Sequence, residues 1–215
     1  MTEPTATDHL DALEALARDR RSSLRVDPDR AVDPELVERL VQLAATAPNH
    51  KKTYPWRFRV VTGDARSALG EALAQDLVAD GEENPAKISK ARVKYRRAPV
   101  VLVVAAAAGE HEVMTEENRD AVAASIQTLL LGATAAGLSS LWSTGAAARS
   151  GRVAELCGFA PTDTIVGLVY LGWPNSELEC GPRPDPDLAW VDAPPPDAPP
   201  TTAPPTATGE PAPVS

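Results

Sequence analysis

Residues 99–107, PVVLVVAAA, form an apolar run with no charged or hydrogen-bonding side chain. An uninterrupted run of this kind, rich in β-branched valine, predicts a strand buried on both faces. A second, largely apolar run, TIVGLVYLG at residues 164–172, predicts another buried strand. WRFRVVT at residues 56–62 alternates apolar and polar side chains, which predicts a half-buried strand. The chain is therefore expected to build its core around a sheet.

Helical patterns accompany these strands. Asp8 is expected to cap a first helix that ends in arginines, and Asp33-Pro34 is a start signal for a second helix that ends near Pro48. Further helices are expected over Ala65–Ala79, Lys87–Arg97 and Arg149–Cys157.

The longest uncharged segment, AVAASIQTLLLGATAAGLSSLWSTGAAA at residues 121–148, exceeds the roughly 20 residues that span a bilayer. Small residues dominate it, however, and Gly137-Leu138-Ser139-Ser140 interrupts it. A helix that is apolar all round and rich in small residues is typical of close packing on several sides. We therefore expect a buried helix from about Glu116 and a short strand at Leu141–Thr144, and no membrane span.

Composition excludes several classes of function. A formal net charge of −9 argues against nucleic-acid binding, which needs a positive field. The cysteines, Cys157 and Cys180, form neither a CxxC pair nor a disulfide framework, and the first nine residues do not resemble a secretory signal. A cytoplasmic protein is therefore expected. The three histidines lack metal-ligand spacing, so no bound metal is expected.

Two regions are predicted from the composition along the chain. Residues 1–192 are long and apolar enough for one domain. Residues 193–215 alternate proline with alanine and threonine, which predicts a disordered tail. Its PxxP pattern suggests an SH3 ligand, but no basic residue flanks it, so a solubilising tail is favoured.

Motifs for several enzyme classes are absent from the sequence. Gly132 and Gly137 have the glycine spacing of a phosphate loop, but Leu138-Ser139 stands where the loop needs lysine and a hydroxyl residue. GxGxxG, HExxH and GxSxG do not occur. The sequence therefore offers no motif for these classes of enzyme.

Three stretches carry a family resemblance. They are RRSSLR at residues 20–25, ATAPNHKKTYPWRF at residues 45–58, and LWSTG at residues 141–145, the last followed by VAELCGFAPTDTIVGLVYLGWP. In order and spacing, across about Leu10 to Val191, the chain resembles the FMN-dependent nitroreductase superfamily, specifically its short, single-domain NAD(P)H nitroreductase branch. The resemblance implies an α+β fold, with a mostly antiparallel central sheet flanked by helices. It also implies a homodimer with FMN at the subunit interface.

The resemblance assigns the flavin phosphate to the end of the first helix. Arg20 and Arg21 would bind it with the Ser22 hydroxyl, since a phosphate dianion prefers charge-assisted donors. The alternative is that these arginines only answer the helix macrodipole. Thr46 stands where close relatives carry a cofactor-binding arginine, and Arg183 is a candidate substitute.

Other positions are assigned to the rest of the cofactors. His50 would contact FMN across the interface, although a capping or surface role is the alternative, and Lys51 or Lys52 could supply positive charge. Trp142-Ser143-Thr144 would lie beside the flavin, with Ser143 replacing a basic residue, and Trp142 could equally be a core residue. The resemblance assigns nicotinamide binding to Gly132, Ala133, Thr134, Ala135, Ala136 and Gly137.

The implied activity is an NAD(P)H-dependent FMN oxidoreductase. Because the flavin would carry the chemistry, no side chain is assigned a catalytic role. FMN would take hydride from NADH or NADPH and reduce a nitroaromatic, a quinone or a similar acceptor in a ping-pong cycle. The main alternative is a flavin-binding protein for storage or redox sensing, which the uncharged Thr46 and Ser143 favour slightly. Flavin destruction and dehalogenation remain open as outliers of the same superfamily. A structural dimer without a cofactor would leave RRSS and APNH unexplained.

Overall fold

The computed structural model describes residues 5–177 and 181–191, and this part contains six α-helices and four β-strands. The helices of this described part are α1 (Ala6–Asp19), α2 (Pro34–Ala44), α3 (Ala65–Ala79), α4 (Pro85–Val93), α5 (Glu112–Ala135) and α6 (Gly151–Leu156). The strands are β1 (Trp56–Val61), β2 (Val100–Ala106), β3 (Ser139–Ser143) and β4 (Thr164–Gly172).

The four strands form one sheet in the order β1-β2-β4-β3, and all three neighbouring pairs are antiparallel. The predicted mostly antiparallel α+β fold is confirmed. β2 and β4 are central and buried along almost their whole length, which explains their continuous apolar sequences. A β-bulge lies between them, because Val104 pairs with Gly167 while Ala105 pairs with Ile165, leaving Val166 as the extra residue.

Two apolar layers pack on opposite faces of the sheet. On one face, Leu69 and Leu73 of α3, Tyr95, and Val153 of α6 cover the odd-numbered residues of β2. On the other face, Leu40 of α2 and the apolar side of α5 cover the even-numbered residues of β2. Because α5 packs against both the sheet and α2, its small residues are required for close approach.

Two predicted helix starts are wrong. Thr5, and not Asp8, is the N-cap of α1, while Asp8 occupies the third helical position and completes a capping box with Thr5. The long helix begins at Glu112 and not near Glu116, because the His111 side chain caps it by accepting from the Met114 backbone N–H at 3.2 Å.

Two predicted helices each divide into a helix and a tight turn. The basic segment forms α4 followed by a 3₁₀ turn at Lys94–Arg97. The segment after β3 forms a 3₁₀ turn at Ala146–Arg149 followed by α6. The other predicted helices and the strands agree with the structure to within a few residues.

The chain divides into two units, Met1–Cys180 and Gly181–Ser215. Residues 181–191 of the second unit are described without a helix or strand, and the predicted disordered tail lies outside the described residues. None of the helices in the described part has the length and apolarity needed to cross a membrane.

Candidate functional site

The segment after α1 contacts the outer edge of β3 at Ser140 and then the residues that follow β4. Ser22 forms a parallel bridge with Ser140, and the Ser23 N–H donates to the Ser140 carbonyl at 2.9 Å. Further along, the Asp27 N–H donates to the Trp173 carbonyl at 2.9 Å. The RRSS stretch is thereby fixed beside the strand that carries the LWSTG stretch.

Arg20 and Arg21 stand at the carbonyl end of α1. The Arg20 backbone N–H donates to the Leu16 carbonyl at 3.0 Å and caps the helix. The Arg21 guanidinium donates to the carbonyls of Arg18 and Arg20. A cation at this position answers the helix macrodipole, so that alternative holds for Arg21. It does not compete with phosphate binding, because a guanidinium has five N–H donors.

Trp142 is half-buried on β3, opposite Val169. Its indole lies against Gly167 so closely that a Cβ atom there would collide with Nε1. The Nε1 donor is buried and has no hydrogen-bond partner among the described residues. An unpaired buried donor costs about 1–3 kcal/mol, and the indole packs against the apolar layer on the α2–α5 face of the sheet.

The strand ends in an open turn. Ser143 is half-buried, Thr144 is exposed, and Gly145 follows with a φ of +46°. That left-handed conformation is accessible to glycine without strain, and it turns the chain away from the sheet. The backbone of residues 143–145 is therefore accessible to a ligand.

Lys94 approaches the same turn, and sequence reasoning missed it. Its Nζ lies 4.0 Å from the position that a Cβ atom on Gly145 would take. Burial lowers the pKa of the ammonium from its ordinary value, and the nearby Arg97 and Lys90 lower it further. In the sequence Lys94 is one cation among several in a basic segment, and only the tertiary fold brings it to Gly145.

The loop between α2 and β1 holds a strained backbone. Lys51, Lys52 and Tyr54 all have left-handed φ angles of 54°, 53° and 48°. Such angles are costly for residues with a side chain and persist only where the surroundings fix them. Asn49 contributes by accepting from the Tyr54 N–H at 2.8 Å and donating to the Thr53 hydroxyl at 2.9 Å.

Asn118 anchors this loop to α5. It is buried, it accepts from the Thr53 hydroxyl at 2.5 Å, and its amide donates to the Ala107 carbonyl at 3.1 Å. A buried, satisfied network of this kind rigidifies the segments it joins. The loop is held in one conformation by its contact with the helix.

Thr46 and His50 face α5 and do not lie at the edge of β3. The Thr46 hydroxyl donates to the Leu43 carbonyl at 2.8 Å. His50 Nδ1 lies 2.9 Å from a carboxylate oxygen of Glu117 on α5, and both side chains are partly exposed. One chain therefore divides the predicted flavin residues between two regions, the β3 edge and the α2–α5 side.

The stretch predicted to bind nicotinamide forms the end of α5. A Cβ atom on Gly132 would lie 2.7 Å from a Leu43 methyl and 2.9 Å from a Leu40 methyl, so this glycine permits close packing with α2. Thr46, Gly132, Ala135 and Ala136 line a groove of about 490 Å³ between the two helices. The segment is helical and is not a phosphate loop.

Arg183 belongs to the second unit, Gly181–Ser215. Its role as a substitute ligand of the flavin phosphate stays a prediction.

Comparison with known proteins identifies the family. The family model described as Nitroreductase family matches residues 17–173. A relative from Escherichia coli K12, named "Putative NAD(P)H nitroreductase YdjA", is 33% identical over 179 residues, which cover 82% of this chain and 96% of the relative.

Solved structures agree with the fold. The nitroreductase-like family protein from Bacillus cereus superposes with a TM-score of 0.68 at 26% identity, covering 86% of this chain and 94% of that one. The FMN-dependent nitroreductase NfnB from Mycobacterium smegmatis, solved with NADPH, gives a TM-score of 0.62 at 22% identity over 78% of this chain and 90% of that one. The molecule thus has the fold of a class of oxidoreductases. The chain belongs to the nitroreductase family.

Proposed function

We propose that this chain binds FMN along β3, accepts hydride from NADH or NADPH, and reduces a small organic acceptor. The observation that carries the proposal is the pairing of Ser22 with Ser140. It aligns the RRSS and LWSTG stretches on one strand edge. The names of the M. smegmatis and E. coli proteins, which mention FMN, NADPH and NAD(P)H, support the same pair of cofactors.

The residues present fit an elongated anionic cofactor. Arg20, Arg21 and Ser22 offer charge-assisted and hydroxyl donors for the phosphate. Thr144 lies four residues beyond Ser140, about 13 Å along an extended strand. The two ends of the site are thus far enough apart for a phosphate at one and a ring system at the other.

Lys94 supplies the positive charge that Thr46 and Ser143 lack. Its Nζ lies close to the Gly145 backbone, where the ring system is proposed to bind. A cation held there stabilises negative charge that develops on reduction, and the partly buried position strengthens that effect.

When bound, FMN mediates a two-electron transfer in which NAD(P)H becomes NAD(P)⁺ and a nitro group, with two protons, becomes a nitroso group and water, or a quinone becomes a hydroquinone. The protein's residues hold and orient the reactants. The ping-pong order, with the donor leaving before the acceptor binds, is part of the proposal.

The proposed assembly is a homodimer of the domain formed by residues 1–192. Thr46 and His50 lie on the α2–α5 side, away from the β3 edge, so a second copy is needed to bring them to the flavin. Leu10 and Leu13 of α1 are exposed by 56% and 51%, and no residue of this helix is buried within its own chain. A second subunit would cover them.

An anaerobic titration tests the activity. Excess NADH or NADPH is mixed with the FMN-loaded protein, and the absorbance of the oxidised flavin is followed. Bleaching that a nitroaromatic or a quinone then reverses is the expected result.

A storage or sensing protein is the second candidate. The uncharged Thr46, whose hydroxyl is already bonded to Leu43, is the observation that favours it. If dithionite bleaches the flavin while both nicotinamides leave it oxidised, this second function replaces the first.

A further inference from the structure

A cavity of about 620 Å³ opens where β3 ends and β4 begins. Residues 144–146 form one side, and the start of β4 from Thr164 to Val166 forms another. Arg119, Ala148 and Arg149 complete the lining. Val166, the extra residue of the β-bulge, lies at this point, and bulges commonly adjust the backbone beside active sites. The cavity therefore adjoins the turn where the flavin ring is proposed to bind.

The charge of this cavity is opposite to that of the whole chain. The described residues that line it include no aspartate or glutamate, although the chain carries a formal net charge of −9. The Arg149 side chain is exposed and has no hydrogen bond or ion pair with another described residue. Among the described residues, Arg119 pairs with Asp120 alone, at 3.7 Å, and both of these side chains are exposed. Neither guanidinium is committed to holding the fold together.

We infer that this cavity binds the acceptor and selects acceptors that carry a carboxylate. The inference rests on the proposed function. The two guanidinium groups bind the carboxylate, and the aromatic body of the acceptor lies toward Thr144 and Gly145. The substrate class is a carboxylate-bearing nitroaromatic or quinone, and the reduction itself follows the electron and proton balance already given.

The size of the cavity favours the acceptor over the nicotinamide donor. A volume of about 620 Å³ is within the range of roughly 300–1,000 Å³ that is typical of small-molecule sites. A single substituted ring fits there. A dinucleotide would extend beyond it, leaving most of its phosphates outside the reach of these arginines.

The test compares 4-nitrobenzoate with its neutral isostere 4-nitrobenzamide. Rapid-mixing measurements on the FMN-loaded protein separate reduction by NADH or NADPH from reoxidation by each acceptor. Arg119→Gln and Arg149→Gln remove one guanidinium each. Arg92→Gln is the matched control, because Arg92 is also exposed but pairs with Glu71 on elements that do not line the cavity.

The expected result is a fall of at least about tenfold in the ratio of the benzoate to the benzamide reoxidation rate constants in each cavity variant. The control should keep the wild-type ratio. Calorimetric titration with benzoate and benzamide, which are not reduced, should give the same preference for the anion and the same loss in the variants.

Two results would overturn the inference while leaving the proposed function intact. One is an unchanged acceptor ratio in both cavity variants. The other is slower reduction by the nicotinamide with unchanged reoxidation, which would assign the arginines to the donor. If no nicotinamide reduces the flavin at all, the proposed function fails, and the benzoate titration still decides whether the cavity binds carboxylates.

Discussion

At the residue scale, the end of α1 concentrates positive charge for two purposes. Arg21 binds the last carbonyls of the helix, whereas Arg20 contributes its backbone N–H to the same cap. Both residues immediately precede Ser22, which is paired to β3. The segment therefore stabilises its own helix end and presents cations and a hydroxyl at the strand edge.

Arg20→Ala is expected to weaken FMN binding by roughly ten- to a hundred-fold, because a hydrogen bond to a charged group contributes about 1.5–3 kcal/mol. Flavin content after exhaustive dialysis measures the effect. Arg18→Ala is the matched control on the same helix, since Arg18 is exposed and its side chain pairs with Glu14 one turn away. Wild-type flavin occupancy in Arg20→Ala would contradict the phosphate assignment.

Lys94→Met tests the cation beside Gly145. Removing the charge should lower the midpoint potential of the bound flavin by about 30 mV, which corresponds to about 1.4 kcal/mol for a two-electron couple. Spectroelectrochemical titration of the loaded protein measures it. Lys94→Arg, which keeps the charge, is the control. Equal midpoint potentials in the wild type, Lys94→Met and Lys94→Arg would show that Lys94 does not act on the flavin.

The lowered pKa of Lys94 predicts that the free energy of unfolding depends on pH. Because burial lowers the pKa of Lys94 in the folded chain below the ordinary 10.5, the unfolded chain binds more protons between these two pKa values. Wild-type stability should therefore rise, relative to Lys94→Met, as the pH increases through that window. Urea unfolding at several alkaline pH values checks the sign.

Sequence reasoning reached some site residues and missed others for a physical reason. RRSS and LWSTG are contiguous stretches, so each could be recognised before its position was known. Lys94, Arg119 and Arg149 come from separate elements and converge only through the fold. No local pattern distinguishes them from other surface cations.

At the element scale, α3 and α4 cross at a single glycine. A Cβ atom on Gly70 would collide with the carbonyl oxygen of Arg92 and lie 3.0 Å from that of Ala91. Backbone atoms cannot rotate away as side chains do. The crossing therefore depends on the absence of a side chain.

Gly70→Ala is expected to reduce the free energy of unfolding by about 2 kcal/mol, since the strain of overpacking exceeds the gain in helix propensity. Gly151→Ala is the control, because nothing lies within 4 Å of its Cβ position at the start of α6. That variant should be neutral or more stable by up to about 1 kcal/mol. Equal stability of the two variants in urea would contradict the packing argument.

Among the elements, strands were easier to predict than helix starts. Burial on both faces makes β2 and β4 apolar without interruption, and β4 has the predicted bounds, Thr164–Gly172. The start of α5 is set by the His111 side-chain cap, and histidine is not among the usual capping residues that mark a helix start in a sequence. The sheet order was not predicted, because strand pairing is decided by contacts distant in sequence.

At the scale of the whole molecule, residues 1–192 are proposed to contain everything needed for cofactor binding and assembly. A protein ending at Asp192 should keep full FMN occupancy and a mass near twice that of one chain by light scattering. Loss of either property would show that the proline-rich segment is part of the functional domain. The full-length protein, at 22.7 kDa per chain, provides the reference.

The two edge strands of the sheet, β1 and β3, differ in how far they are exposed to pairing with another molecule. At one side β3 is covered by the segment after α1, but β1 has a strand partner on one side only among the described elements. Its sequence WRFRVV would be a continuous aggregation-prone segment if Arg57 and Arg59 were apolar. Charges on an edge strand oppose pairing with the same strand of another molecule. Arg57 and Arg59 thus make this edge a poorer template for strand addition than an apolar sequence would be.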